Sequence, residues 1–167
     1  MSQSAKSHTI SLLVNNKPGA LIRVAQVFTR RSFNINSINV SPSLDKRYSH
    51  MTITSRGAID TVRQIVLQLE KLVDVMHAIE HTSDQSTERE LVLIKVSNES
   101  EQQLNSLKNL GPDTTVIEEL DNHAIIQLVG STTDLSKNIE EIKTTHKVVE
   151  ILRSGAIAIT HAGIVET

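Results

Sequence analysis

The amino-acid sequence predicts an α+β fold built from two ferredoxin-like βαββαβ domains. One observation is a stretch without aliphatic residues, HTSDQSTER at residues 81–89, which divides the 167-residue chain into two parts of nearly equal length. The other is that both parts show the same order of strand-like and helix-like apolar patterns. A repeated βαββαβ order is typical of antiparallel sheets with helices on one face. We therefore expect a first domain at residues 1–82, a linker at 83–89 and a second domain at 90–167.

In the first part, four short segments have the apolar pattern of strands, at residues 9–14, 35–40, 51–54 and 75–79. The two helices between them are predicted from apolar residues at intervals of three and four: Leu21, Val24, Ala25 and Phe28, then Ile59, Val62, Ile65, Val66 and Leu69. Residues 15–19, before the first helix, are rich in turn-forming residues. The elements therefore follow as strand, helix, two strands, helix and strand.

The second part repeats this order. Its strands are predicted at residues 91–96, 115–120, 124–129 and 148–152, with the turn-forming pair Asp121-Asn122 between the middle two. Its helices are predicted from two apolar stripes: Leu104, Leu107 and Leu110, then Leu135, Ile139 and Ile142. Gly111-Pro112 is expected to end the earlier helix. Because each sheet has a helix-free face and open edges, we expect the chain to associate with a partner.

The composition excludes several classes of function. Aromatic residues make up 2% of the chain, too few for most modules that stack nucleic-acid bases. The 17 basic and 19 acidic residues give a formal net charge of −2, which offers no positive field to a phosphate backbone. No cysteine is present, so disulfides and thiolate sites are excluded. Since no apolar run approaches ~20 residues, we expect a cytoplasmic protein that binds neither membrane nor nucleic acid.

The sequence contains no catalytic constellation. Motifs for a nucleophile elbow, a phosphate-binding loop and a dinucleotide-binding turn are all missing. His77 and His81 are four residues apart, but on the predicted strand this spacing separates them by ~13 Å, too far to share one metal ion. The neighbouring Glu118 and Glu119 face apart and are interpreted as solvated charge. We therefore predict neither catalytic residues nor a metal site.

The loop before the first helix, NNKPGAL at residues 15–21, has two interpretations. In the structural one, an asparagine caps the helix while Pro18 and Gly19 shape its first turn. In the functional one, the free N–H groups and partial positive charge of the helix N-terminus bind a carboxylate, and Gly19 lets the ligand approach the backbone. Spacing alone favours the structural interpretation, because such caps are common.

Asn34, which follows Arg30-Arg31-Ser32-Phe33, is similarly ambiguous. It could accept a left-handed or turn conformation where the helix gives way to the next strand. Alternatively, its side-chain amide, which both donates and accepts hydrogen bonds, could recognise a zwitterionic amino acid. The two arginines are interpreted as solvated residues that suit a helix C-terminus.

Longer motifs make the sequence similar to a known family. The first part contains NNKPGALIRVAQVFTRRSFNINSINVSPS, YSHMTI and LEKLVDV, and the second contains ERELVLIKV and VVEILRSGAIAIT. Together they resemble the small, regulatory subunit of acetolactate synthase (acetohydroxyacid synthase), whose first domain is an amino-acid-binding ACT domain. The PGAL loop alone indicates only an ACT domain. The combination covers nearly the whole chain and is far more specific.

The resemblance implies a non-catalytic subunit whose partner is a large, catalytic subunit. That partner carries thiamine diphosphate, FAD and Mg²⁺ and condenses pyruvate with pyruvate or 2-oxobutyrate in branched-chain amino acid biosynthesis. The small subunit holds no cofactor of its own, raises the partner's activity and confers feedback inhibition by valine or another branched-chain amino acid. The effector-binding positions carried over from the family are Asn16, Gly19, Ala20, Asn34 and Ile35.

A length argument adds an expected homodimer through the ACT domain. The predicted helix of about 13 residues spans ~20 Å, so Asn16 before it and Asn34 beyond it lie at opposite ends of one domain. If both contact the same effector, they come from different chains, and a two-fold dimer satisfies this. Ser32 and Asn36, on either side of Asn34, stand where the family usually has glycine and an acidic residue.

Two other functions are weighed against this one. The first is a free-standing ACT-type amino-acid sensor that regulates another enzyme or a transcription factor, although no helix-turn-helix or basic arm for direct DNA binding is present. The second is an enzyme in its own right, which would need a catalytic constellation that the sequence lacks. Association with a thiamine-dependent large subunit discriminates between these functions.

Overall fold

The computed structural model describes residues 6–81, 85–97, 105, 107 and 113–161. Contacts group the chain into two compact units. The first unit contains the residues up to Thr87 together with those from Gly155 onward, and the second contains Glu88–Ser154. Each unit has its own apolar core.

The first unit has the predicted βαββαβ order. The elements are β1 (Lys6–Asn15), α1 (Ala20–Arg30), β2 (Ile35–Pro42), β3 (Tyr48–Gly57), α2 (Ile59–Leu69) and β4 (Val75–His81). The strands form an antiparallel sheet in the order β2-β3-β1-β4, the ferredoxin-like arrangement. The α+β fold class and the order of elements in this part are therefore confirmed.

The core of the first unit lies between the sheet and its two helices. Alternate residues of β1 point toward the helices, and Ile10, Leu12 and Val14 are at most 1% exposed. Val24 and Phe28, one turn apart on α1, are buried in the same cluster. Burying a side chain of this size stabilises a fold by about 1.5–3 kcal/mol, so the apolar stripe is sufficient to hold α1 on the sheet.

Helix α1 ends in a Schellman motif at Ser32. The N–H of Ser32 donates to the carbonyl of Thr29 at 3.0 Å. The N–H of Phe33 donates to the carbonyl of Phe28, also at 3.0 Å, which completes the motif. Ser32 has φ 51° and is the one described non-glycine residue with a positive φ. The structural interpretation of Asn34 is therefore wrong, because the left-handed residue that ends the helix is Ser32 and the turn lies at residues 31 and 32.

We expect Ser32→Gly to stabilise the protein. Glycine takes the left-handed conformation without the Cβ contact that costs other residues roughly 1–2 kcal/mol. Part of this gain is offset because glycine has more freedom in the unfolded chain, so we expect the free energy of unfolding to rise by about 0.5–1 kcal/mol. Urea denaturation measures the change, with Ser32→Ala as a control that keeps the strain. A glycine variant no more stable than the alanine variant would contradict the expectation.

The described elements of the second unit are β5 (Ser86–Ser97), of which all but the first residues belong to this unit, β6 (Thr114–Leu120), β7 (His123–Gly130), α3 (Thr132–Thr145) and β8 (Val148–Arg153). The strands form an antiparallel sheet in the order β6-β7-β5-β8. A two-residue turn at Asp121-Asn122 joins β6 to β7, as predicted. Ser131 caps α3 by accepting a hydrogen bond from the N–H of Asp134 at 3.2 Å.

The predicted linker partly forms a strand, and the first predicted helix of the second domain lies largely outside the described residues. The polar residues 86–89, expected in the linker, begin strand β5, because backbone pairing does not require aliphatic side chains. Residues 82–84 lie outside the described residues. Of the helix predicted through Leu104, Leu107 and Leu110 and ended by Gly111-Pro112, residues 105 and 107 are described. Both are helical, and Leu107 is buried in the second core.

A strand without a counterpart in the sequence-based prediction follows β8. This strand, β9 (Ile157–Thr160), pairs with β5, and the N–H of His161 donates to the carbonyl of Gln85 at 2.9 Å. By its contacts β9 belongs to the first unit, whereas the predicted bounds assign residues 155–167 to the second domain. The physical reason is burial: Ala156 is 1% exposed, and its carbonyl accepts a hydrogen bond from Asn39 of β2.

A bidentate ion pair joins β5 to β8. Glu90 is 5% exposed, and its carboxylate accepts hydrogen bonds from Arg153 Nε at 2.9 Å and Nη2 at 2.6 Å. These hydrogen bonds raise the pKa of Arg153 above its usual value. The two residues come from the motifs ERELVLIKV and VVEILRSGAIAIT, so the ion pair gives both motifs a structural role.

Candidate functional site

The N-terminus of α1, where the candidate site begins, has no side-chain cap. Gly19 is its N-cap residue and has φ 87°, a conformation that favours glycine. The N–H of the buried Ala20 donates to the carbonyl of Lys17 at 3.2 Å. Among the described residues, the N–H groups of Leu21 and Ile22 meet no protein acceptor. Two backbone donors at the positive end of a helix are therefore available to an anion.

Asn16 does not cap α1, which corrects the structural interpretation of the NNKPGAL loop. Its backbone N–H donates to the carbonyl of Arg47 at 2.7 Å, and its Nδ2 donates to the carbonyl of Lys46 at 3.1 Å. Within the described part of the chain, the side-chain oxygen Oδ1 has no partner. Asn16 is therefore tethered to the connection between β2 and β3 and keeps one acceptor free.

The connection that holds Asn16 is itself ordered by Asp45 and Arg47. Asp45 Oδ1 accepts the N–H of Arg47 at 2.9 Å, and Oδ2 accepts Nε at 2.8 Å and Nη2 at 2.6 Å. The guanidinium also lies 5.5 Å from the ring centroid of Tyr48. The side-chain hydrogen bond lowers the pKa of Asp45 below its usual value and raises that of Arg47. The pairing is therefore kept as pH falls, until the lowered pKa of Asp45 is reached.

Arg23, beside the same N-terminus, is a residue that reasoning from the sequence missed. Its Nε donates to Asp74 Oδ2 at 2.5 Å, and Asp74 is 7% exposed. A Cβ at position 19 would lie 2.9 Å from Arg23 Nη1, so the guanidinium borders Gly19 directly. The sequence contained one indication that Arg23 has a role at this site. A positive charge close to a helix N-terminus interacts unfavourably with the helix dipole, and the first turn of α1 has no acidic residue to offset it.

Asn34 lies at the opposite end of the first unit from the N-terminus of α1. The 11 residues of α1 span ~16 Å. The strand register agrees with this length: Asn15 pairs with Tyr48, whereas Ile35 pairs with Ser55, seven residues or ~23 Å further along β3. Asn34 is exposed and Ile35 is half-buried.

The five predicted site residues therefore form two groups. Asn16, Gly19 and Ala20 surround the N-terminus of α1, and Asn34 and Ile35 follow its C-terminus. One chain does not bring the two groups together. Any single small ligand that contacts both groups needs a second chain.

The described part of the chain contains neither a metal-binding cluster nor a membrane-spanning helix. Among the described residues, no group of three or more His, Cys, Asp or Glu is placed to hold a metal ion. His77 and His81 lie on β4, the strand predicted for them. The buried His8 is held inside the fold, with Nδ1 2.6 Å from Glu80 Oε1 and Nε2 3.1 Å from a backbone carbonyl oxygen. No helix among the described residues is both long and apolar enough to cross a membrane.

Comparison with known proteins decides the family. Residues 10–77 match the family model of the AHAS small subunit-like ACT domain, and residues 89–162 match the family model of the small subunit of acetolactate synthase. The acetolactate synthase small subunit of Buchnera aphidicola subsp. Baizongia pistaciae is 36% identical over 156 residues, which cover 92% of this chain and 98% of that protein. The chain belongs to the family of acetolactate synthase small subunits.

Further members of the small-subunit family agree with this assignment. The acetolactate synthase isozyme 3 small subunit of Escherichia coli is 33% identical over 155 residues, covering 90% of this chain and 93% of that protein. The crystal structure of the acetolactate synthase small subunit from Thermotoga maritima matches with a TM-score of 0.80 at 33% identity, covering 95% of this chain and 99% of that one. The predicted resemblance to the small-subunit family is confirmed.

Proposed function

We propose that this chain is the regulatory subunit of acetolactate synthase and that it binds a branched-chain amino acid, valine first among them. The observation that carries the proposal is the uncapped N-terminus of α1 with the guanidinium of Arg23 beside it, which suits the carboxylate of an amino acid. Membership in the small-subunit family supports the choice of partner. In this proposal the subunit is cytoplasmic, non-catalytic and free of cofactors. Thiamine diphosphate, FAD and Mg²⁺ belong to the large subunit.

The donors and acceptors around α1 favour one orientation of the effector. Its carboxylate accepts hydrogen bonds from the N–H groups of Leu21 and Ile22. Its ammonium group donates to Asn16 Oδ1, because Nδ2 of Asn16 already donates to Lys46. Because Gly19 has no side chain, a ligand at this position meets the guanidinium of Arg23 instead of a Cβ.

A second chain completes the proposed site. Asn34 and Ile35 of the partner subunit supply the remaining contacts, since the same residues of one chain lie too far from Asn16. A two-fold homodimer through the ACT domain then contains two equivalent sites. The sheet order supports such pairing because β2, which starts at Ile35, is an edge strand.

Co-expression with the cognate large subunit tests the proposed function. We expect the two chains to co-purify, the activity of the large subunit to rise when this chain is added, and valine to inhibit the complex but not the large subunit alone. A thermal-shift series with amino acids reports binding independently, because a ligand at 100 times its Kd stabilises the protein by about 2.7 kcal/mol. Valine binding without association or activation would favour a free-standing amino-acid sensor instead.

A further inference from the structure

The helix-free face of the first sheet is largely polar and nevertheless buried. Thr9, Ser11 and Leu13 alternate along β1 with the core-facing residues and are 8%, 5% and 4% exposed. Thr52, opposite Ser11 on β3, is 7% exposed. Since α1 and α2 pack against the other face, another part of the unit must cover this one.

Residues 155–160, which we call the C-terminal segment, belong to the same unit and cover part of this face. Strand β9 of this segment contacts β1. Asn39 Nδ2 donates to the carbonyl of Ala156 at 3.0 Å. Gly155 has φ 77°, and a Cβ there would lie 2.5 Å from the Cβ of Ser37, so its backbone touches β2 directly. We call these contacts of Ser37 and Asn39 with Gly155 and Ala156 the clasp.

A β-bulge turns the clasp residues toward the C-terminal segment. Ile35 packs against the core on the helix side, opposite Ser55. Ser37 faces the helix-free side, opposite Thr54, and its hydroxyl oxygen lies 2.5 Å from that of Thr54. On a regular strand, residues two apart share one face, so the irregularity between Ile35 and Ser37 is what turns the strand over. Ser37 and Asn39 face the segment only while this bulge is kept.

The residues that directly precede Gly155 are held in the second unit. Ser154 N–H donates to the carbonyl of Leu91 at 2.9 Å, and Leu91 N–H donates to Ser154 Oγ at 3.1 Å. Arg153, one residue earlier, holds the buried Glu90. The chain leaves the second unit at Ser154 and enters the first at Gly155. The clasp therefore follows directly on a strand end that is fixed within the second unit.

We propose that the clasp couples effector binding to the second unit. The inference rests on the proposed effector site, because the bulge lies between Ile35 of that site and Ser37 of the clasp. An effector that contacts Asn34 and Ile35 fixes the bulge, and the fixed bulge holds Ser37 and Asn39 against the C-terminal segment. The effector then stabilises the clasp. By thermodynamic linkage, the intact clasp raises the affinity for the effector by the same factor.

The test compares two alanine variants of the full chain. Asn39→Ala removes the hydrogen bond to Ala156, and Ser41→Ala is a matched control, since Ser41 is exposed further along the same strand. By calorimetry, we expect valine to bind Asn39→Ala about fivefold more weakly and Ser41→Ala as tightly as wild type. By hydrogen exchange, we expect valine to slow the amides of residues 155–161 in wild type and in the control, and far less in Asn39→Ala.

A second readout separates coupling from a purely structural role. In complex with the large subunit, Asn39→Ala is expected to keep full activation while the valine concentration for half-inhibition rises about fivefold. Loss of activation together with inhibition would overturn the coupling, as would equal valine affinities of the two variants. Wild-type protein that binds valine with unchanged exchange at residues 155–161 would overturn the coupling and leave the effector site standing. Wild-type protein that does not bind valine would overturn both.

Discussion

Replacing Gly19 by aspartate is expected to abolish inhibition by valine while the large subunit is still activated. The new carboxylate would occupy the positive N-terminus of α1 next to the guanidinium of Arg23. It would compete for the donors that the effector's carboxylate needs, and it would repel that carboxylate. Opposing like charges cost several kcal/mol, so valine affinity should fall by at least about 100-fold.

Gly19→Asn is the matched control for this experiment. Asparagine and aspartate have nearly the same size, and both tolerate a left-handed backbone better than most residues do. Each must displace the end of the Arg23 side chain, which would lie 2.9 Å from the new Cβ. The two variants therefore share the backbone strain of φ 87° and differ in charge and in the amide donor that only asparagine has.

Calorimetry with valine and activity assays of the complex measure the outcome. We expect Gly19→Asn to keep measurable valine binding and Gly19→Asp to have none, with both activating the large subunit. Equal loss of binding in both variants would show that the added side chain, and not its charge, blocks the site. Unchanged valine binding in Gly19→Asp would exclude a carboxylate site at this N-terminus.

The sheets were predictable from the sequence because each has an apolar face that packs into a core. Ile10 and Leu12 alternate with the polar Thr9 and Ser11, and that period of two is visible without a structure. The two-residue turn at Asp121-Asn122 and the helix over Ile59–Leu69 follow from equally local signals. In the first unit, short-range patterns were sufficient to predict the types of the βαββαβ elements and their order.

Strand β9 was not predictable by the same reasoning. Its cover of the first sheet depends on the backbone of Gly155 and Ala156 touching the polar residues Ser37 and Asn39. Hydrophobic periodicity records buried apolar side chains, and neither glycine backbone contacts nor polar sheet faces produce such a pattern. For this reason the sequence patterns did not indicate that β9 groups with the first unit.

The candidate site was predictable only in part. The position of Gly19 at the start of α1 follows from a local loop pattern, whereas the role of Asn16 does not. Its amide bonds Lys46, 30 residues away, and only the folded hairpin brings the two together. The ion pair of Arg23 with Asp74 is equally non-local. Contacts between residues that are distant in sequence become visible only in the folded structure. Asn34 was assigned to the site from the family resemblance, because residue spacing left its role open.

A mixed dimer of Asn16→Ala and Asn34→Ala chains is expected to bind valine tightly at half of the wild-type sites. In the proposed shared site, Asn16 comes from one chain and Asn34 from the other. The mixed dimer therefore contains one site with both asparagines and one site with neither. Each homodimer contains two sites that lack one asparagine each.

Mixed dimers are isolated by giving the two chains different affinity tags and purifying over both. Native mass spectrometry before and after titration checks that subunits have not exchanged. Calorimetry should then show about half the wild-type number of sites at the wild-type Kd, while both homodimers bind about tenfold more weakly or worse, because each leaves polar groups of the ligand unpaired. A mixed dimer of two differently tagged wild-type chains is the control for the tags.

The number of tight sites decides between the two arrangements because they predict opposite results. If one chain supplied the whole site, the mixed dimer would hold two singly damaged sites and bind no better than the homodimers. That arrangement would require one amino acid to bridge the ~16 Å of α1, or the ~23 Å of β3 between the partners of Asn15 and Ile35. An amino acid is only a few bonds long and does not span either distance. Tight binding at half of the sites can arise only if each site takes its residues from two chains, and valine must then also strengthen the dimer by linkage.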